Sequence, residues 1–127
     1  MSGIVVDTSS WIGYFNDGEH SIIDEALAEG RVYLSGVVAA ELTSGKLSAR
    51  HRSALESFLG DLPLVQGDLQ HWFRVGQLRT TLLSKGLTVS TPDAHVAQCA
   101  LDLQAELLSE DKIFTKIANK ISLQLFS

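Results

Sequence analysis

Short apolar segments that suit buried strands alternate along this chain with longer segments that carry helix signals. Such alternation is typical of an α/β domain, in which helices connect parallel strands and cover both faces of the sheet. The apolar fraction of 45% supports a packed core, and 127 residues is the size of one domain. We therefore predict a single domain over residues 1–127, with three layers and a central, mainly parallel sheet. The predicted strands span residues 4–6, 32–34, 62–65, 106–108 and 123–125.

Helices are predicted between these strands from apolar periodicity and from the residues at their ends. Ser35 and Asp68 are of the types that cap helices. The run Thr91-Pro92-Asp93 combines a hydroxyl cap, a proline at the first helical position and an acid near the positive end of the helix dipole. Ser109 is predicted to cap the last helix. The predicted helices begin near residue 11 and span about 22–29, 36–44, 48–59, 69–84, 92–103 and 110–119.

Four acidic residues stand at the edges of apolar segments: Asp7, Glu41, Asp93 and Asp111. Asp7 directly follows the first strand and Asp111 closely follows the strand at 106–108, so both are expected at the carboxyl edge of the sheet, where α/β domains place their sites. Glu41 and Asp93 are expected to arrive from helices packed at that edge, each on the apolar face of its helix. The sequence therefore predicts that the four carboxylates converge.

Each acid also has a simpler explanation. Asp7 suits a cap or an Asx turn at the end of a strand, and Glu41 suits a solvated helix edge near Lys46. Asp93 and Asp111 would complement helix dipoles. Jointly, clustered carboxylates repel one another and raise one another's pKa values unless a cation is present. Mg²⁺ or Mn²⁺ suits such an oxygen cluster, whereas no Cys/His spacing supports zinc.

The four segments that carry these acids resemble, in order and spacing, the motifs of PIN-domain nucleases. They are Val5-Val6-Asp7-Thr8-Ser9-Ser10-Trp11-Ile12, Ala40-Glu41-Leu42-Thr43-Ser44-Gly45, Pro92-Asp93-Ala94-His95-Val96-Ala97 and Leu107-Leu108-Ser109-Glu110-Asp111-Lys112-Ile113-Phe114. The match covers nearly the whole chain, and the compact length is similar to the VapC-type toxins of bacterial toxin–antitoxin pairs. The resemblance implies an α/β/α PIN-like fold and a Mg²⁺- or Mn²⁺-dependent endoribonuclease that hydrolyses RNA phosphodiester bonds. It also implies a homodimer and a cognate antitoxin as partners.

The resemblance implies that the four acids are the catalytic and metal-holding residues. Asp7 and Asp93 are expected to be the main direct ligands, Glu41 either ligates or orients the attacking water, and Asp111 binds a second ion or acts through water. Thr8 and Ser109 are expected to support these ligands by hydrogen bonds. The chain departs from the family at Ile113, where a further acid is common, and this leaves the number of bound ions open.

The net charge of −5 excludes broad phosphate neutralisation as the mode of nucleic-acid binding. Either the chain has no nucleic-acid partner, or its contact with nucleic acid is local and helped by metal. The acidic balance also permits a basic protein partner. Candidate phosphate contacts, for each of which ordinary solvated surface is the favoured explanation, are Lys46, Arg50, Arg52, Arg74, Arg79 and Lys85.

No signal-peptide pattern and no bilayer-length apolar stretch is seen, and the single Cys99 cannot form an internal disulfide. We therefore expect a cytoplasmic location and no membrane partner. His95 is expected to have a surface or packing role, His71 shows no ligand spacing, and Cys99 is expected to be a small core or surface residue. The aromatic residues expected in the core or in dimer contacts are Trp11, Phe58, Trp72 and Phe73.

Rival interpretations stay open at this stage. The chain could be a catalytically silent PIN-like module that only binds a partner, or a nuclease directed at DNA. A receiver or phosphoryl-transfer domain is disfavoured, because no second acid accompanies Asp7 at the end of the first strand. The aromatic residues near 11–15 and the helix that carries Glu41 are the expected docking surfaces for an antitoxin.

Overall fold

A computed structural model of the chain describes residues 2–17, 21–65 and 67–126. In these ranges the chain forms three strands and seven helices. They are β1 (Ile4–Val6), α1 (Thr8–Asp17), α2 (Ser21–Ala28), β2 (Val32–Tyr33), α3 (Gly36–Thr43), α4 (Ala49–Gly60), α5 (Leu69–Ser84), α6 (Thr91–Leu103), β3 (Glu106–Leu108) and α7 (Lys112–Ala118).

The sheet is parallel and has the strand order β2-β1-β3. Ile4 is in register with Val32 on one side and with Glu106 on the other. β1 is the central strand, and the chain places β2 on one side of it and β3 on the other. Right-handed crossovers in these two directions put helices on both faces of the sheet. The predicted three-layer α/β fold with a parallel sheet is confirmed.

Two of the predicted strands are reduced to single bridges at the edges of the sheet. Leu64 pairs with Leu34, and Leu125 pairs with Leu107, both in parallel orientation. Pro63 has no N–H to donate, and its carbonyl accepts a hydrogen bond from the Leu34 amide at 2.8 Å. The predictions of strands over 62–65 and 123–125 therefore locate the right segments and overestimate their pairing.

The core is centred on β1 and α6. All three residues of β1 are buried, and α6 is buried continuously over residues 94–100. A helix that is buried around most of its circumference needs neighbours on several sides, and α6 contacts β1, α3, α5 and α7. Trp11 is fully buried, so its predicted core role is confirmed. Within the described residues no helix is long and apolar enough to cross a membrane.

Several predicted helix starts are displaced, for local reasons. The first helix begins at Thr8 rather than near Trp11, since the backbone oxygen of Asp7 already accepts from the Trp11 amide at 3.1 Å. The helix that carries Asp93 is capped by Ser90 rather than Thr91, because the Ser90 backbone is extended and its side chain accepts from the Asp93 amide. The cap predicted at Ser35 is confirmed by the geometry of α3.

Candidate metal site of four carboxylates

Asp7 lies where β1 ends, beside the end of β3, at the point where the strand order reverses. Open α/β sheets place their ligand sites at such positions. The Asp7 amide donates to the Leu108 carbonyl at 2.9 Å, which ties the two strand ends together. Asp7 is 7% exposed, and its Oδ2 accepts from the hydroxyls of Ser109 at 2.9 Å and Ser9 at 3.1 Å. These two bonds fix the orientation of the carboxylate and compensate part of its burial.

Glu41 is held at the same edge by a hydroxyl from α1. Thr8 Oγ1 donates to Glu41 Oε1 at 2.7 Å, which joins residues 33 positions apart in sequence. Glu41 itself is exposed, although Val38 on the same helix is buried. The expectation that Glu41 faces inward with its apolar neighbours is therefore wrong, because the last turn of α3 presents this side chain to solvent at the rim of the site.

Asp93 is the acid on which the charges of the other three all act. It lies half-buried in the first turn of α6. Burial raises the pKa of Asp93, and the charges of Asp111, Asp7 and Glu41 raise it further, while a hydrogen bond with Ser90 opposes the increase. The three other acids thus all act on one carboxyl group, as predicted for convergence.

Asp111 caps α7 instead of lying within its first turn, and it is exposed. Its Oδ1 accepts from the Ile113 amide at 3.1 Å. Ser109, which was predicted to be this cap, instead donates to Asp7 and accepts from the Asp111 amide at 3.0 Å. Because one hydroxyl contacts both acids, Ser109 couples the position of Asp111 to that of Asp7.

The carboxylate cluster is open rather than a closed cage. Glu41 and Asp111 are exposed and Asp93 is half-buried, so three of the four side chains reach solvent. Mg²⁺ suits such an arrangement, because it retains several water ligands and commonly takes only one or two carboxylates directly. The donor set, carboxylates supported by hydroxyls, fits a hard divalent ion.

One residue that supports this cluster, Ser9, was not predicted from the sequence. Ser9 Oγ contacts Asp7, lies 3.2 Å from Ser109 Oγ and accepts from the Glu110 amide at 3.1 Å. Its position two residues after Asp7, at the start of a helix that turns back over the strand end, is the signal that could have identified it. Thr8 and Ser109, which were predicted to support the acids, both make such contacts.

A second polar cluster was not predicted at all. Ligand-type atoms of His71, His95 and Cys99 lie within 4.8 Å of one another. His95 and Cys99 are four residues apart on α6, but no sequence spacing joins His71 to them. His95 is 3% exposed and Cys99 is fully buried. The possibility of a surface position for either residue is therefore excluded, and the core position of Cys99 is confirmed. Burial raises the pKa of the Cys99 thiol to about 12, so it is not a nucleophile at neutral pH.

Some of the candidate phosphate contacts are already engaged. Arg74 donates two hydrogen bonds of 3.0 Å to Asp102, and Arg79 Nε donates to the Val89 carbonyl at 2.8 Å. Arg52 lies 3.8 Å from Glu56. Among the described residues, no ion pair within 4 Å involves the other three candidates, Lys46, Arg50 and Lys85.

Comparisons with known proteins agree with this fold. The PIN domain family model matches residues 4–120. Ribonuclease VapC2 of Rickettsia felis is 33% identical over 103 residues, which cover 76% of this chain and 77% of that protein. The chain therefore belongs to the PIN-domain family and, within it, to the VapC-type proteins. This confirms the resemblance found in the sequence.

Solved structures of VapBC assemblies share the fold. DNA-bound VapBC from Salmonella typhimurium aligns with a TM-score of 0.82 at 21% identity, covering 99% of this chain and 98% of that chain. VapBC2 from Rickettsia felis, bound to a DNA fragment from its promoter, aligns with a TM-score of 0.78 at 23% identity, covering 97% and 96%. At these identities the likeness concerns the fold alone.

Proposed function

We propose that this protein is a Mg²⁺- or Mn²⁺-dependent endoribonuclease and the toxin of a toxin–antitoxin pair. The observation that carries the proposal is the convergence of Asp7, Glu41, Asp111 and the half-buried Asp93 at the switch point of the sheet. Among the described residues none of the four carboxylates forms an ion pair within 4 Å, and such a cluster is unfavourable by itself. A divalent cation makes the arrangement favourable, and the ribonuclease activity named for the Rickettsia relative gives it a substrate class.

Asp7 and Asp93 would be the main direct ligands of the ion, since they are the two most buried of the four acids. Glu41 either ligates or orients the attacking water, and Asp111 holds a second ion or acts through water. When bound, the ion lowers the pKa of a water ligand and stabilises negative charge on the phosphoryl oxygens. Thr8 keeps Glu41 at the rim, where its carboxylate can still reach solvent.

The RNA backbone would meet this acidic rim only where positive charge lies nearby. Lys46 and Arg50 are exposed and lie close in sequence to the end of α3, which carries Glu41. By contrast, the guanidinium of Arg74 already donates two hydrogen bonds to the Asp102 carboxylate. We therefore assign phosphate contact to the loop between α3 and α4 and the first turn of α4, rather than to α5.

The antitoxin would occupy an apolar groove beside the acids. The groove has a volume of about 600 Å³ and is formed by residues of α1, α3 and α4 and of the loop that joins α3 to α4. Ile12 and Phe15 line it and are 49% and 43% exposed, and Leu42, the residue after Glu41, continues its wall. An amphipathic segment with apolar anchors and a basic residue would match both the groove and the acidic rim.

A second copy of the chain would cover part of α5. Leu69, Phe73 and Leu83 are 64%, 59% and 62% exposed, which is unusual for large apolar side chains on one helix. Their spacing of four and ten residues places them along one side of the helix. This stripe is the proposed contact of the homodimer.

The test is cleavage of a panel of structured RNAs by the purified full chain, with Mg²⁺ or Mn²⁺ and with EDTA. The variants are Asp7→Asn and Asp93→Asn, and the control is Glu110→Gln, which neutralises an exposed neighbouring acid. Metal-dependent cleavage that is lost in both variants and kept in the control supports the proposal. Cleavage in EDTA, equal cleavage by the variants, or cleavage of single-stranded DNA alone would contradict it.

A further inference from the structure

A continuous chain of hydrogen bonds crosses the interior and links three helices. Ser35 Oγ lies 2.9 Å from His95 Nε2, His95 Nδ1 lies 2.7 Å from His71 Nε2, and His71 Nδ1 lies 2.8 Å from Asp102 Oδ2. Arg74 and Gln98 also donate to Asp102, and they hold the end of the chain that reaches solvent. The two imidazole rings connect a buried hydroxyl to a paired carboxylate.

Every ring nitrogen in this chain has a partner. Ser35 and His71 have no exposed surface, and His95 is 3% exposed. Partial burial raises the pKa of Asp102, but hydrogen bonds from Arg74, His71 and Gln98 outweigh it and keep the pKa below its usual value. The ionised carboxylate can only accept, so His71 Nδ1 donates. With both rings neutral, His95 Nδ1 donates to His71 and the Ser35 hydroxyl donates to His95.

The end of this chain lies at the start of the helix that carries Glu41. Ser35 caps α3, and its Oγ accepts from the Val38 amide at 3.3 Å. His95 belongs to α6, two residues after Asp93, and Trp72 of α5 stacks on its ring at 4.6 Å. The buried chain therefore fixes the helices of two of the four acids relative to each other.

We propose that His71 and His95 are positioning residues for the acid cluster, which act through Ser35 on α3 and through α6. The inference deepens the proposed function and rests on it. A buried polar network tolerates one arrangement of its members, because each displaced partner leaves an unsatisfied group. Glu41 and Asp93 then keep the separation that a divalent ion requires, even though neither residue contacts the histidines directly.

A metal ion held by His71, His95 and Cys99 is the competing explanation of this cluster. Two imidazole nitrogens bound at about 2.1 Å to one tetrahedral ion would stand roughly 3.4 Å apart. The observed separation of 2.7 Å is that of a hydrogen bond. The geometry therefore favours direct contact between the rings over coordination.

The test compares wild type with His71→Leu, which breaks the chain at the ring farthest from the acids. We expect Mn²⁺ affinity, measured by calorimetry below the unfolding temperature, to fall about tenfold, by analogy with residues that orient metal ligands. The kcat for RNA cleavage at fixed Mn²⁺ should fall with little change in KM. Val75→Ala, a buried change one turn along α5, is the matched control and should lower stability without changing Mn²⁺ affinity.

Two further variants keep the test decisive. Asp102→Ala cuts the chain at its solvent-facing end and should weaken Mn²⁺ binding in the same direction if His71→Leu does not fold. The double variant His71→Leu, His95→Leu removes both polar rings. If the double variant is more stable than His71→Leu but still binds Mn²⁺ weakly, the polar chain itself is required for Mn²⁺ binding. Full recovery of affinity would overturn the proposal, because packing would then suffice.

Hydrogen exchange at the Val38 amide separates this inference from the proposed function. In metal-free protein, His71→Leu should increase exchange at Val38, because His95, the hydrogen-bond partner of Ser35, loses the ring that holds it in place. Failure of wild type to bind Mn²⁺ or cut RNA would refute the nuclease proposal, whatever the exchange shows. Unchanged exchange and unchanged Mn²⁺ affinity in His71→Leu would refute the positioning role alone. If wild type contains stoichiometric zinc or copper and His71→Leu does not, the cluster of His71, His95 and Cys99 is a metal site and the positioning role is refuted.

Discussion

Mild acid should destabilise this protein by protonating one buried imidazole, that of His95. Burial lowers the pKa of His95 from 6.5 to about 4, with the neighbouring His71 contributing in the same direction and Asp102 opposing it. The unfolded chain therefore binds this proton more readily than the folded chain. The stability that depends on a neutral His95 is therefore fully present above pH 6.5 and is lost as the pH falls toward about 4.

The size of this effect follows from the two pKa values. The gap between 6.5 and about 4 corresponds to about 3 kcal/mol once both states are protonated, and to roughly 2.5 kcal/mol at about pH 4.5. For a domain with a total stability of about 5–15 kcal/mol, this is a large fraction. The raised pKa of Asp93 acts with the opposite sign, because protonation relieves first the cost of burying its charge and then the repulsion from the other acids as the pH falls. The lowered pKa of Asp102 acts mainly below about pH 4.

The assay is urea unfolding in EDTA at several values between about pH 7.5 and 4.5, for wild type and for His95→Phe. Phenylalanine keeps a ring against Trp72 but cannot take up a proton. The variant should be less stable at neutral pH, because Ser35 and His71 lose a partner, yet it should lose about 2–3 kcal/mol less than wild type on acidification. Equal losses in the two proteins would refute the assignment of the effect to His95.

Three further outcomes are expected. Asp93→Asn should raise the thermal midpoint in EDTA, because it removes repulsion between the acids. It should also abolish the stabilisation by Mn²⁺, which for wild type is about 2.7 kcal/mol at a Mn²⁺ concentration of a hundred times Kd. Thermal unfolding with and without Mn²⁺ measures both effects. Ser109→Ala should weaken Mn²⁺ binding about tenfold by calorimetry, because Asp7 loses a charge-assisted hydrogen bond. Phe73→Asp should convert the dimer to a folded monomer, as measured by light scattering and circular dichroism; a folded dimer would contradict the α5 interface.

The strand–helix alternation predicted the fold because its signals are local. The buried run before Asp7 and the caps at Ser35 and Asp68 can each be identified within a few residues, and each is found in the structure. The side chain of Ser109 illustrates the limit of such reasoning. A local rule assigns it to the nearest helix, but its hydroxyl donates a hydrogen bond to Asp7, 102 residues away, and Asp111 caps the helix instead.

The orientation of Glu41 and the pairing of the histidines were not predictable for a related reason. Helix periodicity places Glu41 near an apolar face, but the hydrogen bond to Thr8 holds its carboxylate at the rim. His71 and His95 belong to different helices and are 24 residues apart, so no motif spacing joins them. Their contact arises from the packing of α5 on α6, which is tertiary information.

The acid cluster and the histidine hydrogen-bond chain both include residues of α6. The first is made of groups that repel one another, and the second is made of groups that stabilise one another. Residues two positions apart on a helix point in roughly opposite directions, so Asp93 faces the acids while His95 faces the interior. The acids repel one another and favour separation of their helices whenever no cation is bound. The histidine chain is fully paired and resists that separation, because opening it would expose unsatisfied groups in the core. A binding site made of like charges needs such a frame to stay preorganised, and the buried chain is the part of this fold placed to supply it.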